Sequence, residues 1–85
     1  MFSVRLHRRV VKFLHSLEAR HREQCKAGID GLAQNPFLHR PGCDIKKLSG
    51  ARDAYRLRVG DFRFIYILDG DTVLIMEAFR REKGY

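Results

Sequence analysis

The sequence predicts an α+β domain in which an antiparallel β-meander carries an N-terminal strand and an α-helical hairpin on one face, in the order β-α-α-β-β-β. Three observations predict it. Apolar residues alternate at the start of the chain, then recur with helical spacing, then alternate again in three segments divided by glycine turns. All 85 residues are expected to form one domain, 1–85, because a chain of this length holds a single small core.

Phe2, Val4 and Leu6 alternate with Ser3, Arg5 and His7, the period of a half-buried strand. From Arg8 the period lengthens, and Val10, Phe13, Leu14 and Leu17 form one stripe of an amphipathic helix. A second stripe runs through Cys25, Ile29, Leu32 and Ala33, with Ala19 and Arg20 as a short connection between antiparallel helices. Gly28 and Gly31 weaken that second helix by up to about 1 kcal/mol each, so it is expected to depend on packing. Asn35-Pro36-Phe37 ends it, and Pro41-Gly42 continues the loop. Ile45 to Leu48 reads equally as a short strand or as loop. Strands follow over Ala54–Val59, Phe62–Leu68 and Thr72–Phe79, with Gly60-Asp61 as a type II′ turn and Asp69-Gly70-Asp71 as the next turn.

Composition narrows the function classes. Apolar residues make up 45% and charged residues 32%, a globular balance, while 17 Lys and Arg against 10 Asp and Glu leave a net charge of +7. Such an excess favours a polyanionic partner, nucleic acid ahead of an acidic protein. Cys25 and Cys43 have neither disulfide-framework nor metal spacing and read as ordinary thiols. His7, His15, His21 and His39 lack the spacing of a zinc site, so no metal and no cofactor is expected. The opening residues alternate instead of forming a signal peptide, and no segment approaches the ~18 apolar residues of a membrane span. A cytoplasmic protein is the expectation.

The chemistry falls on the strands of the second half. Tyr55, Leu57 and Val59 point one way and Arg56 and Arg58 the other; Phe62, Phe64, Tyr66 and Leu68 oppose Arg63. A two-residue turn at Gly60-Asp61 pairs Val59 with Phe62, Leu57 with Phe64 and Tyr55 with Tyr66, which makes a core face. The same register sets Arg58 opposite Arg63. Like charges so placed repel by about 0.2–1 kcal/mol, whereas planar guanidinium forks suit phosphate oxygens. Glu77 is the only acidic residue in these three predicted strands, and Ile65 and Ile67 on the same face suggest a partner-binding surface. Lys46, Lys47, Arg80 and Lys83 are further candidate RNA contacts.

Lys47-Leu48-Ser49-Gly50, the strand pair from Asp53 to Tyr66, and Arg80-Arg81-Glu82 together resemble the RelE/ParE toxin family signature. That signature is a Lys-Leu-x-Gly turn, a Tyr-basic-x-basic strand, an Arg-hydrophobic-hydrophobic-Tyr strand and a basic pair near the end. The resemblance covers essentially the whole chain and implies a RelE-type mRNA interferase: a toxin that cleaves mRNA in the ribosomal A site and is restrained by an acidic, RelB-like antitoxin in a hetero-oligomer. Carried over by position, Arg56, Arg58, Arg63 and Arg81 match the family's basic site residues, and Tyr85 its C-terminal tyrosine. The implied reaction is attack of an RNA 2′-hydroxyl on the adjacent phosphorus, with arginines stabilising the charge and the tyrosine moving a proton.

Two other readings stand beside it. A ParE-type toxin on the same fold inhibits DNA gyrase without cutting, although ParE-type proteins usually lack the full basic set. A third is a toxin kept for its antitoxin contacts, with Tyr85 closer to the basic pair than the family pattern places it.

Overall fold

The structure, a computed structural model, describes residues 1–37, 41–48, 50 and 53–81. In chain order the elements are β1 (Ser3–Leu6), α1 (Arg8–His15), α2 (Ala19–Gln34), β2 (Cys43–Lys47), β3 (Ala54–Val59), β4 (Phe62–Asp69) and β5 (Thr72–Arg80). This is the predicted α+β architecture with its ambiguous segment resolved: Ile45 lies in β2, which pairs antiparallel with β3. The sheet order is β1-β5-β4-β3-β2. β2 to β5 form the meander, while β1 lies parallel to β5 and makes the sheet mixed. The first and last strands are far enough apart in sequence for a parallel pairing that no tight turn could make.

Both glycine turns are two-residue links. Gly60 has φ +58° while Asp61 is not among the positive-φ residues, the pattern of a type II′ turn. At the next turn Asp69 already pairs with Thr72, so Gly70-Asp71 is the link and Asp69 closes β4. The strand count also changes the charge reading, because Asp44 and Asp69 join Glu77 as acidic strand residues.

The helical hairpin turns earlier than the sequence pattern places it. Ser16, Leu17 and Glu18 connect the helices, and Ala19 and Arg20 already belong to α2. Arg22 closes this corner by donating from Nε to the Leu14 carbonyl at 3.1 Å, which also accepts from the Leu17 N–H, and from Nη2 to the Leu17 carbonyl at 2.8 Å. His7 caps the other end of α1, its Nδ1 accepting from the Arg9 backbone N–H at 3.1 Å. No described helix is long and apolar enough to cross a membrane.

The core lies between the helices and one sheet face. Val10, Leu14 and Leu17 meet Cys25, Ile29 and Leu32 from α2 and Leu57, Val59, Phe62, Phe64, Tyr66, Val73 and Ile75 from the sheet. Tyr66 is fully buried, stacks on Tyr55 at 5.6 Å, and donates its hydroxyl proton to the Pro36 carbonyl at 2.6 Å, so its one polar atom is satisfied. Gly28 has a packing reason to interrupt α2. A Cβ there would lie 2.7 Å from Val59 Cγ2 and 3.3 Å from Cys43 Sγ, so the glycine is what lets the helix rest on β2 and β3.

Gly28→Ala separates packing from helix propensity by sign. Propensity alone raises stability by up to about 1 kcal/mol, whereas overpacking lowers it by roughly 1–3 kcal/mol. Urea denaturation is expected to give a lower midpoint for Gly28→Ala. A raised midpoint would contradict the close approach of α2 to the sheet.

Candidate functional site

The sheet face turned away from the helices carries the basic residues, and strand alternation decides which of them meet. One line across the sheet reads Asp44, Arg58, Arg63, Phe79 on β2, β3, β4 and β5. The next reads Lys46, Arg56, Ile65, Glu77. Arg58 and Arg63 therefore face each other as the sequence register requires, and Lys46 and Arg56 flank them. Lys47 pairs with Tyr55, on the helix-facing side, and does not join the group.

Beyond Ile65 the ladder slips by one residue. Ile65 pairs with Glu77 and Tyr66 with Ile75, so Met76 is extra on β5. Without this bulge Glu77 would share the core parity of Ile75. With it, Glu77 reaches Arg9 of α1, Oε2 to Nη1 at 2.9 Å.

The four cations are neutralised to different degrees. Arg58 Nη2 lies 3.7 Å from Asp44 Oδ2, a long, half-exposed contact that offsets part of the repulsion from Arg63. Arg63 is half-buried and turns back on the hairpin, its Nη1 donating to the Gly60 carbonyl at 3.0 Å. Arg81 is exposed, and its backbone N–H donates to the Asp61 carbonyl at 2.7 Å, which anchors it beside the same turn. Arg56 differs from all three: it is half-buried, and its Nε is a buried donor with no partner. A buried donor without an acceptor costs about 1–3 kcal/mol, so Arg56 is held in the face at the expense of stability.

The basic pair at the end of β5 is split by the pleat. Arg80 pairs with Phe62 on the helix-facing side and holds its guanidinium 5.0 Å from that ring, whereas Arg81 follows on the other side of the turn. Two open grooves result. One, of about 450 Å³, is lined by Asp44, Arg58, Arg63 and Arg81; the other, of about 750 Å³, by His21, Gln24, Arg80 and Arg81. Gly60 and Asp61 form the ridge between them. Sequence reasoning missed Asp44, His21 and Gln24 because strand pairing and helix docking bring them to the turn from distant segments. Lys83, Tyr85 and His39, named from the sequence, lie outside the described residues.

Apolar side chains share the open face. Ile65 is half-buried, Ile67 is 37% exposed and Phe79 46% exposed. Of the two thiols, Cys43 lines the smaller groove and Cys25 is buried in the core. Burial, with a smaller contribution from neighbouring Cys43, pushes the Cys25 thiol up to about 11, which keeps it protonated and unreactive at neutral pH. Among the described residues no group of His, Cys, Asp and Glu has the arrangement of a metal site.

Comparison with known proteins agrees with this fold. A family model described as the ParE toxin of the type II toxin–antitoxin system parDE matches residues 4–85. RelE1 of Methanocaldococcus jannaschii is 36% identical over 99% of this chain and 94% of its own length. The archaeal RelE of a RelE–RelB complex from Pyrococcus horikoshii superposes with a TM-score of 0.84 at 31% identity, covering 98% of each chain. The isolated RelE toxin of E. coli, at 20% identity, shares the fold with a TM-score of 0.80 over 99% of this chain and 88% of its own.

The unpartnered Arg56 donor leads to a stability prediction. Arg56→Met keeps the aliphatic stem and removes the unsatisfied group, so chemical denaturation should give an unchanged unfolding free energy or a gain of up to about 1 kcal/mol. A loss larger than about 1 kcal/mol would mean that the folded chain already satisfies the guanidinium.

Proposed function

The chain belongs to the RelE/ParE family of toxins of type II toxin–antitoxin systems, and from that premise we propose that it is a ribosome-dependent endoribonuclease acting on mRNA. The observation that carries the proposal is the convergence of Arg56, Arg58, Arg63 and Arg81 around one hairpin, with a buried Arg56 donor that lacks an acceptor. Phosphate oxygens are the ligand that planar, permanently charged forks accept best.

In the proposed reaction the RNA 2′-oxygen loses its proton and attacks the adjacent phosphorus, the phosphorane gathers negative charge, and the 5′-oxygen departs with a proton. Arg58 and Arg63 would flank the phosphorane, and Arg56 would take one of its oxygens into the half-buried part of the face. Such pre-organised charge supplies several kcal/mol in a water-poor site. Arginine is a poor base because its pKa exceeds 12, so the proton needs another group, and Tyr85 is the family's candidate. Lys46 and Lys83 would steer the RNA backbone.

The same face serves a second proposed partner. Solved relatives from Pyrococcus horikoshii and Methanococcus jannaschii are complexes of RelE with RelB. An acidic antitoxin that lays an apolar helix or strand on Ile65, Ile67 and Phe79 would cover the arginines and neutralise the +7 charge. A gyrase-directed, non-cutting toxin is the second reading, favoured by the family model's description as a ParE toxin.

Primer extension on a defined mRNA, with and without programmed ribosomes, tests these readings together. Cleavage is expected only with ribosomes, is lost in folded Arg56→Met, and is suppressed by an acidic antitoxin whose grip weakens as salt rises. Inhibited gyrase with intact mRNA would replace the nuclease reading by the second one. Growth arrest with neither effect would remove both.

A further inference from the structure

We propose that the groove between α2 and the Gly60-Asp61 turn is a second phosphate subsite, which holds the RNA phosphate next to the scissile one through Arg80, Arg81, His21 and Gln24. The proposal rests on the nuclease reading and extends its contact surface around the end of the hairpin. Three observations carry it. First, β5 sends Arg80 and Arg81 to opposite sides of the turn, so positive charge continues from the arginine face into the larger groove, and Arg81 lines both. Among the described residues no carboxylate lies within ion-pair distance of Arg80 or Arg81. Asp61 also lines the groove and offsets one of their two charges.

Second, Arg80 is held in place before any ligand arrives. Its guanidinium sits 5.0 Å from the centre of the Phe62 ring, and the His21 ring packs against the same phenylalanine at 5.3 Å. Phe62 is itself buried, so it does not offer a face for a base to stack on; it orients the two cation-capable side chains. Third, His21 Nδ1 is a buried polar atom without a hydrogen bond, since the Glu18 carboxylate stands 3.6 Å away, beyond bonding reach. The exposed Gln24 amide completes the rim one helical turn further along α2. Two arginines, one of them held over Phe62, with an amide and an imidazole around one concavity match an oxyanion better than an apolar ligand. A strand crossing the hairpin ridge would meet Arg58 and Arg63 on one slope and Arg80 on the other.

The test is a coupling cycle between toxin and RNA. Ribosomes are programmed with an mRNA that carries a 2′-deoxy nucleotide at the scissile position, so it binds without being cut. A neutral methylphosphonate then replaces the phosphate immediately 5′ or 3′ of that position. For the wild-type chain one of the two replacements is expected to weaken binding roughly fivefold, and Gln24→Glu or Arg80→Gln to weaken binding of the unmodified mRNA by a similar factor. The losses should not add when variant and replacement are combined. Gln24→Glu keeps helix propensity and alters an exposed position, so it remains informative if Arg80→Gln folds poorly. Additive losses, or none, would overturn the subsite while leaving the nuclease reading in place. A wild-type chain that does not bind these ribosomes would overturn that reading and the subsite with it. Should Gln24→Glu weaken binding of an acidic antitoxin but not of RNA, the groove is a protein contact instead.

Discussion

The two-residue link at Gly60-Asp61 fixes the register of β3 against β4, and almost every other property of the molecule follows from that register. A slip of one residue would exchange the two faces of the hairpin, sending Tyr55, Leu57 and Val59 to solvent and the arginines into the core. Burying each large apolar side chain is worth about 1.5–3 kcal/mol, whereas two guanidiniums facing across the ladder cost about 0.2–1 kcal/mol. The apolar face therefore wins by a wide margin. It holds Arg58 and Arg63 opposite each other, where they would otherwise drift apart, and folding energy is converted into a concentrated positive field at one end of the sheet.

The rest of the fold tempers that field unevenly. Asp44 is placed opposite Arg58 by β2, the Gly60 carbonyl accepts from Arg63, and the bulge at Met76 lets Glu77 pair with Arg9 at the far side of the sheet. Each contact stabilises a cation or removes an acid from the face. Arg56 is the exception, with its Nε buried and unanswered. A chain selected for stability alone would do better with methionine there, so the proposed phosphate-binding role of Arg56 and the demands of folding pull in opposite directions.

Much of this was legible in the sequence because it depends on local pattern. Alternation located β3, β4 and β5, and glycine-first turns fixed how they pair, so the Arg58–Arg63 opposition followed from counting residues. What remained illegible depends on distant partners. β2 is short and carries Asp44, Lys46 and Lys47 against a single buried residue, Ile45, so only its pairing with β3 defines it. The parallel placement of β1 on β5 and the extra residue at Met76 are set by tertiary packing, which also brought His21 and Gln24 beside Arg80. Arg80 and Arg81 looked like one basic pair in sequence, yet Arg80 lines only the larger groove while Arg81 borders both.

In the proposed chemistry, arginines on the open face stabilise a phosphorane formed by the RNA's own 2′-hydroxyl. The most direct measurement is mass spectrometry of the ends left by cleavage on programmed ribosomes. Attack by the 2′-oxygen leaves a 2′,3′-cyclic phosphate, or the 3′-phosphate that its opening gives, on one fragment and a 5′-hydroxyl on the other, with no product when the scissile nucleotide is 2′-deoxy. A 3′-hydroxyl paired with a 5′-phosphate, or undiminished cutting at the deoxy position, would contradict it, because water would then be the nucleophile.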